Sequence, residues 1–464
     1  MNRSVQIALV GVALLLTSCQ GSLTAGIEGS GSPVAASGPI TGFGSIFVNG
    51  VEYTTTNARI DIDDQLATES QLSVGDVVTV VGTVNADGKT GTASQVTFRG
   101  NVAGIVGQVN VPTRTFVVLG QTVLVTASTV LDSNISPADI TGIKPGDRVE
   151  VSGFANSFGQ LVASRIQLLP PGNAVRVEGV VQALNTAART FQINALLVDY
   201  SAMTPNGTLM NGSVVDVQGS VNTNGALLAT GVQVTSAVTG AANSGCEFEG
   251  VITSFTSNAD FMINDLHVTT DSSTQFTLNG LTLGVNVRVA VEGSFDSSGA
   301  VVAASVEALP EGEGLVRGVV QSLPSSSTLT VLGVTVLTGP KTELEDDSSL
   351  KLRPFHLRDL HVGDYVEARG PVGAGGTVNA EVLLRQTPDT QSFLRDTAVN
   401  VTSFTFTLLG VTVVTTTQTQ YSGPDGSPLT PGQFFAQAAN QTVKAGGTQS
   451  GNSLLATQAQ IEGP

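Results

Sequence analysis

The chain has 464 residues with Lys+Arg 20 against Asp+Glu 37, a net charge of −17, no Trp and four Tyr. That balance argues against nucleic acid, where phosphate neutralisation needs a basic face and stacking needs exposed aromatic rings, and against electrostatic adhesion to anionic headgroups. Apolar residues reach 41% and Val, Thr and Gly abound, so the acidity is not that of a disordered tail.

In chain order, Arg3 is the only charge before residue 28, and the apolar run Val5 to Leu16 suits the h-region of a signal peptide rather than a mature membrane span. The run ends in Leu16-Thr17-Ser18-Cys19, which resembles the lipobox of bacterial lipoproteins. There, small residues admit the signal peptidase and the following thiol accepts diacylglycerol. Residues 1–18 therefore read as a lipoprotein signal peptide and Cys19 as the lipidation site. Membrane lipid, held through this N-terminal anchor, is the expected partner. The same resemblance implies an outer-membrane address facing periplasm or cell surface, because Gln20 stands where retained lipoproteins usually carry Asp. With Cys19 lipidated only Cys246 remains, so no internal disulfide forms. Residues 19–36, small and polar, read as a flexible tether.

Beyond the tether the chain repeats itself. The strand GDVVTVVG at Gly75–Gly82 recurs as GDRVEVSG from Gly146, GSVVDVQG from Gly212, NVRVAVEG from Asn286, GDYVEARG from Gly363 and NQTVKAGG from Asn440. Start-to-start spacings are 71, 66, 74, 77 and 77 residues. Upstream of each copy lies a hairpin, beginning at Ile46, Phe116, Phe191, Phe261, Leu329 and Phe406, with Gly50, Gly120, Ala195, Asp265, Gly333 or Gly410 at the turn. Downstream comes a second alternating run, as at Leu161–Ile166, behind turn signals such as Asn156 to Gly159. Each unit thus predicts a strand, a hairpin pair, a loop of roughly twenty residues and a second hairpin. The fold class is all-β: six tandem small five-stranded OB-like barrels, at residues 37–100, 101–170, 171–236, 245–310, 311–387 and 388–464. The long loop replaces the helix that usually caps such a barrel. Leu357–Leu360 and Ala138–Ile140 hint at helical turns there. The recurring Phe register is expected to face the core, and each barrel to contact chiefly its sequence neighbours.

Gly42-Phe43-Gly44-Ser45-Ile46-Phe47-Val48-Asn49-Gly50-Val51 resembles the opening motif of bacterial lipoproteins of domain-of-unknown-function family 5666, and the Gly-Asp strand is that family's other mark. Repeats four and six lack the Gly-Asp pair. The family carries no established activity, so the resemblance implies no catalytic residue.

Chemistry-bearing residues are sparse. Asp61, Asp63 and Asp64 carry oxygen ligands of the kind Ca²⁺ takes, but no Gly bend or distal Glu completes a loop. Glu343, Glu345, Asp346 and Asp347, followed by Lys351, Arg353 and Arg358, read as a surface charge network. His356 and His361 lack the third and fourth ligands that zinc wants, and His267 stands alone. Gly82 to Gly88-Lys89-Thr90 has one residue too many for a phosphate loop and precedes a strand. Cys246 reads as a small buried apolar residue. No GxSxG, HExxH or paired-Cys motif occurs. The expectation is a protein without catalytic residues or cofactor: a structural or interaction array, partnered by an envelope protein or glycan. Its alternative is a module that binds Ca²⁺ or envelope glycan through the inter-strand loops.

Overall fold

A computed structural model describes residues 32–235, 238, 240–312 and 314–462; the signal segment, Cys19 and most of the tether lie outside the described residues. The second unit shows the plan. Its strands are Val102–Asn110, Thr115–Val118, Gln121–Leu131, Arg148–Ala155 and Leu161–Leu168. The first three form an antiparallel meander, the third pairs in parallel with the fifth, and the fourth closes the ring between fifth and first. The ring order 1-2-3-5-4-1 is that of the OB barrel, and the parallel closure is why a long loop must run from third to fourth strand. Units one, three and four close in the same order. In unit five the fifth strand is split into Val378–Asn379 and Val382–Gln386. In unit six the first and second strands meet through the Val399–Thr407 bridge.

Local sequence explains each step. Phe116, Phe191, Phe261 and Phe406, with Ile46 and Leu329 in the same register, are all buried, as alternation requires. The hairpin turn at Leu119-Gly120 has φ of 49° and 73°, the paired left-handed geometry that matches strand twist. The third unit makes its turn with Asn194 at φ 50° ahead of Ala195. The Gly-Asp mark is a turn device. Gly75, Gly146 and Gly363 sit at φ of 86°, 96° and 102°, and each following Asp accepts an N–H from three residues back: Ser73 to Asp76, Lys144 to Asp147, His361 to Asp364. Repeats four and six dispense with glycine because Asn286 and Asn440 adopt φ of 67° and 59°.

The glycine that ends the same strand answers a different need. Register slips beside Gly82, Gly153, Gly219, Gly293 and Gly447, marking a β-bulge against the fifth strand. A Cβ built at Gly153 would overlap the Val162 carbonyl oxygen, and the same cross-strand clash recurs at the other four. Close backbone approach, not positive φ, selects glycine here.

Two expectations are corrected. Residues 32–36, assigned to the tether, begin the strand Ser32–Gly42, because Val34 and Ala36 belong to the first barrel's core. Sheet pairing between sequence neighbours holds for two pairs of barrels but not for the first. Units two and three share one sheet and one core, as do five and six. Unit one joins unit four: Val34–Ser37 pairs in parallel with Gly245–Phe248. Small side chains (Ala35, Ala36, Cys246) let these strands meet, and the Asn49 amide donates to both Ser37 O and Glu247 O at 3.2 Å. Among the described residues the one α-helix is Pro431–Gln437 in unit six; units one, two and five carry single 3-10 turns in the corresponding loop.

Gly153→Ala should destabilise by about 1–3 kcal/mol through overpacking at the bulge. Hydrogen exchange should show protection falling across residues 102–234 together, since units two and three share a core. Loss confined to residues 102–168 would contradict that coupling.

Candidate functional site

The sequence candidates do not converge. Asp61 accepts from Arg59 Nε at 2.7 Å, Asp64 pairs with Arg99, and Asp63 reaches across to Arg176 of the third barrel. Three carboxylates thus answer three different arginines. His267 lies 2.9 Å from Asp260 and His356 lies 3.3 Å from Asp359. Among the described residues no three His, Cys, Asp or Glu side chains come together in a metal-holding group. The Gly82–Thr90 segment is a turn in which Asp87 accepts from the N–H groups of Lys89 and Thr90, both at 2.9 Å, so an anion's place is taken. Cys246 is fully buried opposite Ala35, and burial pushes its thiol up to about 12.

What the structure does bring together is a charged seam between barrels. Its charges stand chiefly on the outward face of the first and fourth strands of units three to six. Arg317 stands opposite Glu367 in register, with Nε 2.8 Å from its carboxylate. Arg288 donates to Glu249 at 2.6 Å. Arg176 donates from Nε to both oxygens of Asp216, at 3.0 and 2.9 Å, while its other branch meets Asp63. Further pairs cross between units: Lys444 to Asp139 at 2.7 Å, Arg114 to Glu462 at 3.0 Å and Arg165 to Glu345 at 3.3 Å. Backbone carbonyls take the remaining donors; Arg165 reaches Val74 O and Arg369 reaches Thr129 O, each at 2.8 Å. The acidic run of unit five, expected at the surface, is partly inside: Glu343 is buried, and Asp346 is clasped by Arg385 at 2.9 and 2.5 Å. Sequence reading missed this seam. Its signal was present in charge placed at alternate strand positions, as in VRVEGV at Val175–Val180 and CEFEGV at Cys246–Val251. Such alternation ordinarily means a solvated face, whereas here the neighbouring barrels cover it.

The seam is not neutral throughout. Desolvation by burial raises Asp76, Glu150, Glu178 and Glu381 to about 7 and Glu247 to about 8. The Arg385 hydrogen bonds, working against desolvation, hold Asp346 far below the usual range. Carboxyls raised in the folded state bind more protons there than in the unfolded chain, so they cost no stability below about pH 4, cost progressively more as pH rises from there to 7–8, and add no further loss above it. The lowered Asp346 acts oppositely and loses its contribution only as pH falls below the ordinary carboxylate range. Thermal unfolding midpoints should therefore fall from pH 5 to about pH 8 and then level off; a rise over that interval would refute the assignment. Arg176→Ala, leaving Asp216 buried without its partner, should cost about 3–5 kcal/mol.

Six segments match the family described as Domain of unknown function (DUF5666): residues 34–97, 102–167, 178–233, 249–307, 317–382 and 397–460. No curated protein matches the chain. Among solved structures, Drosophila Unr CSD456 is similar at 14% identity over 41% of this chain and 88% of that one, with a TM-score of 0.11. A multidomain protein with nucleic acid binding domains from Streptococcus pneumoniae TIGR4 is similar at 9% identity over 46% and 73% of the two chains, with a TM-score of 0.14. Six family segments laid one per barrel along nearly the whole described chain place this protein in the DUF5666 family.

Proposed function

We propose that this chain is a non-enzymatic, lipid-anchored envelope protein whose six barrels form a single rigid platform for interaction with other envelope components. The observation that supports this reading is the set of contacts between units distant in sequence. Asp63 of unit one meets Arg176 of unit three, Arg165 of unit two meets Glu345 of unit five, and Lys341 of unit five meets Glu307 of unit four at 2.5 Å. Charged side chains that an enzyme would present to a substrate are spent here in holding barrels together. Buried pairs of this kind add little net stability over apolar packing, but they penalise any arrangement that leaves one partner alone. They therefore favour one relative placement of the barrels. The address rests on the Leu16-Thr17-Ser18-Cys19 motif, and the chain's net charge of −17 speaks against nucleic acid as a partner.

Two measurements test the proposal. For residues 32–462, small-angle scattering should give a radius of gyration of about 22 Å, the value for a compact body of this length. A much larger value would mean independent beads. In cells, Cys19→Ser should abolish fatty-acid labelling and release the protein from the membrane fraction; persistent labelling would place the anchor elsewhere.

A further inference from the structure

Where barrels two, three and four converge, the structure holds a cleft of about 540 Å³, within the range of about 300–1,000 Å³ usual for small-molecule sites. A second hollow of about 240 Å³ continues it toward barrel one, the two sharing Asn101, Phe154, Glu178, Asn264 and Asp265 as walls. On the lip stands Phe158, 77% exposed. It is not a loose side chain. Its turn is pinned to barrel four by Ser157, whose hydroxyl and N–H donate to Asn286 Oδ1 at 2.7 and 2.9 Å, and to barrel three by Asn194, whose amide donates to Gly159 O at 3.2 Å. Within the turn, Asn156 Oδ1 accepts from the N–H groups of Phe158 and Gln160 at 3.0 Å. An aromatic ring is thus held out in water by contacts from two other barrels, an arrangement that core packing does not require.

The walls beneath it are polar and underused. Among the described residues, the side chains of Glu178, Asp265 and Gln182 enter no ion pair and no hydrogen bond. Asn264 Oδ1 is buried without a partner. Seven amide side chains and two carboxylates line the larger hollow, and no Lys or Arg does. That inventory rejects phosphate and other anions. It suits a molecule with an apolar ring face and hydroxyls able to donate and accept at several angles.

We propose that this cleft binds a neutral oligosaccharide, with Phe158 stacking on a ring face and Glu178, Asp265 and Gln182 bonding its hydroxyls. The site is assembled from three barrels, so it exists only in the compact arrangement, but it needs neither the lipid nor the envelope address. It goes beyond the platform reading in naming a ligand class.

The test uses the full chain in detergent, with maltotriose, cellotriose and chitotriose as probes in saturation-transfer NMR and calorimetry, and spermidine as the cationic competitor. At least one trisaccharide should bind. Phe158→Ala should weaken it about tenfold or more, and Asp265→Asn and Gln182→Ala should each weaken it measurably. All three positions are exposed, so thermal midpoints should stay unchanged. No binding of any trisaccharide at about 10 mM, binding indifferent to Phe158→Ala, or binding of spermidine alone would overturn the proposal. Scattering and fractionation report on the platform reading separately, so a compact radius of gyration with no trisaccharide bound would sink this proposal alone.

Discussion

A five-stranded sheet closes into a barrel only if its backbones approach more tightly at one corner than side chains permit. In this protein that corner is the bulge where the fourth strand crosses the fifth. Gly82, Gly153, Gly219, Gly293 and Gly447 each lie against a carbonyl of the partner strand, where a Cβ has no room. The bulge bends and twists the strand enough for third and fifth strands to pair in parallel and complete the ring. Without that closure the Phe register would have no enclosed core to enter, and the outward face of the first and fourth strands would have no fixed curvature on which to place its charges.

Those charges make the second level of order. Barrels of roughly seventy residues have little apolar surface to spare for docking. Beyond the cores that units two and three, and five and six, share, the protein docks them through arginines that bridge two carboxylates or a carboxylate and a carbonyl, as Arg176 and Arg165 do. Several carboxyls are left in the seam without a full partner, and burial raises Glu178 to about 7 and Glu247 to about 8 because ionising them in a poor environment is costly. The cleft beneath Phe158 lies where such unpaired groups, Glu178 and Asp265, open onto solvent.

Much of the barrel was legible in the sequence because its determinants are local. Alternation placed Phe116 and its equivalents inside, and turn glycines marked the hairpins. The Gly-Asp pair was read as part of a strand, and its role as the turn that leads into that strand came only with the geometry. The helix Pro431–Gln437 was also announced, by Thr430 and Gln433 three apart with Pro at the first helical position, but its seven residues carry no periodicity to draw attention. A recurrent anchor was overlooked as well. Thr129, Thr274, Thr342 and Thr419 each donate a buried hydroxyl hydrogen bond at 2.7 Å to an alanine carbonyl in the fifth strand or, at Ala380, in its break, tying down the chain at or beyond the end of the second hairpin strand. What could not be read was which barrel meets which. Nothing in VAAS at Val34–Ser37 points to CEF at Cys246–Phe248, because small residues permit close pairing without specifying a partner. The exposed-looking acids of VRVEGV had the same ambiguity, since alternation reports a face and not what covers it.

The parallel pairing of Val34–Ser37 with Gly245–Phe248 sets an order of events in folding. As a chain is made from its N-terminus, the first barrel can close on its own strands, yet one edge of Ser32–Gly42 stays open until a strand more than two hundred residues later has emerged. Barrels two and three, adjacent in sequence, complete their shared sheet in the meantime. An open strand edge is a template for pairing with any passing strand, including the same segment of another copy. The waiting period falls on the most N-terminal barrel, so slow synthesis or a stall before residue 245 would expose this protein to mispairing through its first strand, whereas a stall after residue 310 would not.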